Sequence, residues 1–427
     1  MSRSVIQNET TRSTGLPNQG SMVSKSCQGG IGYSVVDLND VRHVYVVAEP
    51  RTGTTLEEQA NDALRTIDAL IHGEGTRGSI VHQAVFVADT ALIPACREII
   101  HRFYGSELPA TTYIPQPPCE GKLLAIEALG VGQGKGEVVI ERFSEQLVRV
   151  THNGMSWVHC AQIEPRPGTE GVFNQTISAM SSMRALLNSR KIGFDQVVRT
   201  WFYLGGIVAD EGDSQRYKEM NRARSDFFEG IQFLADCLPP GRQNSAVFPA
   251  STGIGTEGRG VLLSCIALDM STRRDVVALP LENPRQTSAF DYAQHYSPAS
   301  PKFARAMALS CGDFATIFIS GTASITHSET RHIGDVAGQT GETIDNIEAL
   351  ISEANLARHG LPGLGTTLEN LGLVRVYIKS QDDYEKVRAV CEARLGDLPT
   401  VYAVADVCRP DLLVEIEAIA FSRRARS

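Results

Sequence analysis

Two glutamates two residues apart, Glu415 and Glu417, stand in the otherwise apolar run LLVEIEAIA that begins at Leu412. Strand periodicity puts both side chains on one face. Their neighbours Leu412, Leu413, Val414, Ile416 and Ile419 imply that the strand is largely buried. Burial raises the pKa of a carboxyl group, and a raised carboxyl can donate a proton as a general acid near neutral pH. The competing reading for either residue is an ion pair with a buried arginine across an interface, and for Glu417 that is the better one. Other patterns read as local geometry. Gly253, Gly255 and Gly258 have dinucleotide spacing, but a strand, Val261 to Met270, follows where a helix is needed, so they read as a hairpin turn. Gly130, Gly132, Gly134 and Gly136 precede the strand VVIERF and read as a linker. His327 and His332 are five apart beside Glu329, whereas a compact metal site wants i, i+4 spacing or a third clear ligand. No metal and no cofactor is expected, and G-x-S-x-G, P-loop and catalytic-cysteine signatures are absent.

The chain that must position these groups has 427 residues, enough for two or three domains at roughly 150 residues each. Hydrophobic residues at 42% and charged residues at 21% are ordinary for a soluble globular protein. No apolar run is long enough to span a membrane. The formal charge of −9 argues against a nucleic-acid or anionic-membrane surface and leaves an anionic ligand to a local cluster of Arg or Lys. Nine dispersed cysteines without a C-x-x-C pair read as reduced thiols in a cytoplasmic protein. Residues 1–30, polar and glycine-rich, read as a flexible tail without a signal peptide. The three arginines after Ser422 read as a solvated terminus.

Internal similarity organises the rest. A pattern of strand, helix, strand, helix and closing hairpin occurs three times. In the first copy the helices are Leu56 to Ile71 and Pro94 to Gly105, and the closing strand is Lys122 to Gly130. In the second, FNQTISAMSSMRALLNS and RYKEMNRARSDFFEGI are the helices and GVLLSCIALDM is the closing strand. In the third, they are Asp335 to Leu350, Asp382 to Gly396 and LLVEIEAIA. The reading is therefore an α+β fold of three tandem repeats, 31–136, 137–280 and 281–427, each a mixed sheet packed on two helices. Three such units imply an intramolecular pseudo-trimer, monomeric as a chain, with pockets between repeats.

The segments SGTAS, DVAGQTGETIDNIEAL and LVEIEAIA resemble the Rid (YjgF-like) family. That resemblance implies homotrimer-like units of a chorismate-mutase-like fold, with sites between units. Imine hydrolysis in that family uses an Arg two residues after a Pro and the first Glu of the closing strand. The Arg position is Thr111, Ser251 and Val401 in the three copies, and the Glu position is Ala125, Ser264 and Glu415. The chain is therefore not an ordinary imine deaminase, and only the third copy keeps the acid.

Six segments between Arg199 and Phe421 resemble the chorismatases, Rid-related enzymes acting on the enolpyruvyl ether of chorismate. They are RTWFYLGGI, QRYKEMNRARSDF, PASTGIGTEG, ENPRQTSAFDYAQHYSPASPKFARA, FISGTASITHSETRHIGDVAGQT and CRPDLLVEIEA. The resemblance implies that Glu415 protonates the terminal methylene of the enol ether, that pyruvate leaves, and that Arg side chains hold two substrate carboxylates. It puts Arg224 among those anchors, with Arg199 and Arg331 as further candidates and Tyr292 and Tyr296 closing the pocket. Each has a plainer reading: Arg224 as a solvated helix-face charge, Arg199 as an edge-strand charge, Arg331 as a turn cap, the tyrosines as core. Cys408 and Ala323 fall where chorismatase subtypes differ. Cys408 is the second catalytic candidate, a nucleophile or polar guide beside the ring, and leans towards elimination to a hydroxybenzoate, while Ala323 leans towards hydrolysis to a dihydroxycyclohexadiene acid; an inert buried thiol is the alternative for Cys408. Against the enzyme stands a second reading, a non-catalytic Rid-like protein that binds a small metabolite. A third is a hydrolase of another enol ether or enamine.

Overall fold

The structure is a computed structural model describing residues 21–76, 79–133, 137–238, 246–269, 273, 275–291 and 300–424. Its first third contains β1 (Ser24–Gln28), β2 (Ile31–Leu38), β3 (Val41–Ala48), α1 (Leu56–Gly73), β4 (Ile80–Val87), α2 (Ile93–Tyr104), β5 (Ala110–Ile114) and β6 (Leu124–Gln133). The middle third contains β7 (Val138–Ser144), β8 (Leu147–His152), β9 (Met155–Ile163), α3 (Val172–Asn188), β10 (Val197–Gly205), α4 (Arg216–Phe228), β11 (Ala250–Thr256) and β12 (Val261–Asp269). The last contains β13 (Val276–Leu281), β14 (Ala306–Cys311), β15 (Phe314–Ala323), α5 (Val336–Ile351), β16 (Leu371–Ile378), α6 (Tyr384–Leu395), β17 (Thr400–Val404) and β18 (Val414–Arg423). No helix among the described residues is long and apolar enough to cross a membrane.

These strands make three six-stranded mixed sheets of one order: β1-β2-β3-β6-β4-β5, β7-β8-β9-β12-β10-β11 and β13-β14-β15-β18-β16-β17. In each, the one parallel pair is at the end: β4 with β5, β10 with β11, β16 with β17. Each also has a register break in the same place, at Ile80/His82, Val197/Arg199 and Leu371/Leu373. One face of each sheet is covered by helices. Helix α1 buries Ala60, Ala63, Leu64, Ile67 and Ile71 at helical spacing and starts in a capping box of Thr55 and Glu58. Asp335 caps α5 by accepting from the Gly338 N–H. The opposite faces meet in the middle of the molecule. There Thr112 bonds Ser264 at 2.7 Å, the Ser251 N–H donates to Ser320 Oγ at 2.8 Å, and Ser34 Oγ donates to the Gly372 carbonyl at 2.5 Å.

The structure corrects several expectations. The closing strands are not hairpins: β5 and β6, β11 and β12, and β17 and β18 flank β4, β10 and β16 respectively. The Gly253–Gly258 segment is therefore β11 and a crossing connection, with Gly258 at φ +76 in its turn. Gly130 and Gly132 are inside β6, where a side chain would collide with Ile71 and Thr76. They allow close approach of α1 rather than forming a linker. The flexible-tail reading fails for Ser24–Gln28, a polar edge strand paired with β2; Met1 to Gly20 lie outside the described residues, as does the terminus from Ala425. Register also moves one correspondence. Glu415 pairs with Tyr377, and its counterparts are Ala125 on Phe86 and Leu262 on Tyr203. Ser264, on Trp201, is the counterpart of Glu417 and Glu127 instead.

Candidate active site

A cavity of about 570 Å³ lies between the second and third sheets, within the range of small-molecule sites. Sheet two supplies Tyr217 and Arg224 from α4 and Ser251 and Gly253 from β11; sheet three supplies Gly321 and Ala323 from β15 and Glu415 from β18. Cys408, Arg409 and Asp411 enter from the loop before β18, and Phe303 and Arg305 from the segment before β14.

Glu415 is on the strand paired on both sides, opposite Ala323 and Tyr377, and is only 5% exposed. Its carboxyl makes no hydrogen bond or ion pair with any described residue. Burial, reinforced by the charge of Glu417, pushes its pKa up to about 8, against the pull of Arg199 and Arg305. At neutral pH it is therefore a protonated acid facing a cavity. Gly321 makes the room, because a Cβ there would collide with the Glu415 carboxylate.

Arg224 is buried, with Nη2 donating to Asn221 Oδ1 at 2.5 Å and Nη1 to Ser251 Oγ at 3.3 Å. Its guanidinium packs over Phe202 and Phe303 at 5.2 and 5.4 Å. Its Nε has no hydrogen-bond partner among the described residues, and no described carboxylate pairs with it. Burial lowers its pKa to about 10, so it remains charged at neutral pH. A buried cation without an internal anion is a receptor for an anionic ligand. The equivalent helices show the contrast. On α6, Arg388 bonds Glu120 at 3.2 Å, and on α2, His101 bonds Glu145 at 2.5 Å with Arg97 3.9 Å away.

Among the described residues, four cationic side chains line the cavity, Lys218, Arg224, Arg305 and Arg409, against Glu329, Asp411 and the neutral Glu415. Arg305 is held by the Thr287 carbonyl at 2.9 Å, and Arg409 by the Ser328 carbonyl at 3.0 Å. Sequence reasoning singled out neither Arg305 nor Arg409: both lie in irregular segments, where no periodicity marks a functional side chain. The one signal available was their place within the family-like segments FARA and CRPD. Cys408 lines the cavity as a thiol, its pKa pushed up to about 12 by burial and by Glu415.

Two expected anchors are elsewhere. Arg199 lies at the molecular centre, bonding Glu417 at 2.7 Å and Thr252 Oγ1 at 2.6 Å. It is absorbed in a network in which Arg375 bonds Glu127 at 2.6 and 2.8 Å and Glu417 at 3.1 Å, and Trp201 Nε1 donates to Glu417 at 2.8 Å. Arg331 is half exposed, 4.0 Å from the lining residue Glu329, its backbone N–H bonds the Ser324 carbonyl, and it is not itself among the described residues lining the cavity. Tyr292 and Tyr296 lie outside the described residues. His332 is 3.9 Å from Glu342, and no cluster of three His, Cys, Asp or Glu among the described residues is placed to hold a metal.

Residues 134–267 match the family model described as chorismatase FkbO/Hyg5-like, N-terminal, and residues 298–422 match the model endoribonuclease L-PSP. A 3-hydroxybenzoate synthase of Streptomyces hygroscopicus is 36% identical over 278 residues, 64% of this chain and 76% of that protein. The chain belongs to the chorismatase family. A chorismatase of the same organism is 35% identical over 271 residues, covering 62% of this chain and 74% of its own. A crystal structure of a chorismatase superposes with a TM-score of 0.60 at 24% identity, over 80% of this chain and 93% of that one. That likeness shows a shared fold. The cavity of this chorismatase-family chain takes its walls from both matched regions, with Arg224 in the first and Glu415 in the second.

Proposed function

We propose that the chain is a cytoplasmic, cofactor-independent enzyme that cleaves the enolpyruvyl ether of chorismate in this cavity. The observation that carries the reading is the protonated, unpartnered carboxyl of Glu415 lining the same cavity as the uncompensated guanidinium of Arg224. Glu415 donates its proton to the terminal methylene carbon, and the ether oxygen stabilises the adjacent cationic centre. The carboxylate left behind lies in a low-dielectric site, where its charge favours that cation. Water adds to the cation and returns a proton to Glu415, and collapse of the hemiketal releases pyruvate. Arg224, Arg305 and Arg409 hold the two carboxylates. This hydrolysis leaves the dihydroxycyclohexadiene acid; a hydroxybenzoate forms instead when the ring also loses one hydroxyl and one proton as water, so that no water is consumed overall. Cys408, a neutral thiol, acts as a hydrogen-bonding guide beside the ring, and with Ala323 it sets which product leaves.

The architecture is read as three Rid-like repeats forming a pseudo-trimer within one monomeric chain; their sheets begin at Ser24, Val138 and Val276, so the first and third repeats start ahead of the expected residues 31 and 281. The shared strand order supports this, and a site between repeats two and three then needs no second copy.

Incubation of purified protein with chorismate, without added metal, is expected to release pyruvate and one ring product separable by chromatography. Glu415→Gln is expected to reduce turnover by about 100-fold or more while chorismate still raises the melting temperature. Intact chorismate and no pyruvate would favour the metabolite-binding reading instead.

A further inference from the structure

The inner faces of the three sheets enclose a second cavity, of about 110 Å³, separate in its chemistry from the one holding Glu415. Much of its wall is apolar, including Val131, Val150, Met155, Leu309 and Ile419. The remainder carries two ladders of flat rings. In one, Trp157 stacks on His152 at 6.4 Å and His152 meets His43 edge-on at 5.2 Å. In the other, Trp201 stacks on His82 at 6.2 Å and His82 lies 5.3 Å from His159.

The charge of this cavity is already balanced. Its ionic groups, Arg199, Arg375, Glu127 and Glu417, are paired with one another at 2.6 to 3.1 Å. The four imidazoles are buried and neutral: burial holds His43 near 3, His152 and His159 near 4, and His82 well below its ordinary value. No cation is left among the described lining residues for a carboxylate. Two polar atoms nevertheless lack a partner among the described residues, Trp157 Nε1 and His159 Nδ1. A buried donor left unsatisfied costs roughly 1–3 kcal/mol. Apolar cavities of about 150 Å³ bind benzene, so the space is on the scale of one ring.

We propose that this central cavity is a second binding site, for an uncharged single-ring aromatic molecule carrying one hydroxyl or carbonyl oxygen. Its ring lies against the imidazole and indole faces, and its oxygen accepts from the Trp157 indole N–H. The site is independent of the chemistry proposed for Glu415.

Trp157 and Trp201 are the chain's two tryptophans, and both line this cavity. Indole emission from the full chain is therefore a local reporter. Titration with phenol, exciting indole selectively, is expected to give a saturable change in emission and a parallel rise in melting temperature, with benzoate binding at least about tenfold more weakly. Leu309→Phe and Val150→Phe add volume from two different sheets, and each folded variant is expected to lose at least about tenfold in phenol affinity. A linear, non-saturating response of the unmodified chain overturns the proposal. So does benzoate binding as tightly as phenol, or unchanged affinity in a filled variant whose circular dichroism is native.

Discussion

Glu415 and Glu417 sit on one strand face two residues apart, and their surroundings drive them in opposite directions. Burial pushes both carboxyls up; at Glu417 the guanidiniums of Arg199 and Arg375 outweigh it and hold the group below the ordinary range. Glu415 has no such contact and rises to about 8. If the protonated form does the chemistry, kcat/KM is level below pH 8 and falls as pH rises through it. Glu417→Gln removes a negative charge that disfavours ionisation of Glu415 and releases Arg199, whose positive charge favours it. Both effects lower the Glu415 pKa, so the alkaline limb is expected to move towards neutral pH; a limb that stays near pH 8 would sink this account. Gly321→Ala tests the same carboxyl sterically. Its methyl group displaces the Glu415 carboxylate, and a loss of about 100-fold in kcat with unchanged circular dichroism is expected, the scale of a misplaced catalytic group.

The second helix of each sheet presents cations to the neighbouring sheet, and what those cations meet distinguishes the three junctions. Arg388 on α6 and His101 on α2 are satisfied by the protein's own Glu120 and Glu145, whereas Arg224 on α4 has no described carboxylate. Arg224→Gln is expected to raise KM for chorismate at least about thirtyfold, the cost of an unpaired buried charge contact of about 2 kcal/mol or more. Arg388→Gln is expected to leave both kinetic constants unchanged; equal effects would remove the reason for choosing this cleft. The helices and inner strands were legible in the sequence because a 3.6-residue pattern survives in α1 and α5, and β3 and β18 are short, nearly continuous apolar runs. Strand order was not, since such runs read the same whether β17 and β18 pair with each other or flank β16. Arg199 misled for a related reason: a charged residue in the apolar run of β10 signals burial, but its partner Glu417 is 218 positions away. The placement of Arg305 and Arg409 depends on irregular chain paths, which leave no period to read.

Three sheets meeting face to face force polar groups into the middle, and that sets how the whole molecule responds to pH. His43, His82, His152 and His159 have folded pKa values held below 6.5 by burial. The unfolded chain therefore binds more protons as pH falls below 6.5. The stability these histidines contribute is present above that pH and is lost towards pH 4 and 3. Glu49 and Glu415 act with the opposite sign. Burial, then Glu120, raises Glu49 to about 8, matching Glu415. The folded state holds these protons between about 4.5 and 8, so their contribution is full below 4.5 and is lost as pH rises through 8. Above pH 7 the two carboxyls dominate and stability falls with rising pH; below pH 6 the four imidazoles dominate and it falls with falling pH. A maximum near pH 6.5 follows. A folded pKa that differs by one from its unfolded value corresponds to about 1.4 kcal/mol before solvent relaxation reduces it. Urea midpoints measured from pH 4.5 to 8.5 are expected to trace this peak. His43→Leu takes one proton from the acid side, so its midpoint is expected to decline less steeply between pH 6 and 4.5 than that of the unmodified chain. A profile that keeps rising to pH 8.5, or an acid slope unchanged by His43→Leu, would show that the central imidazoles do not govern the response.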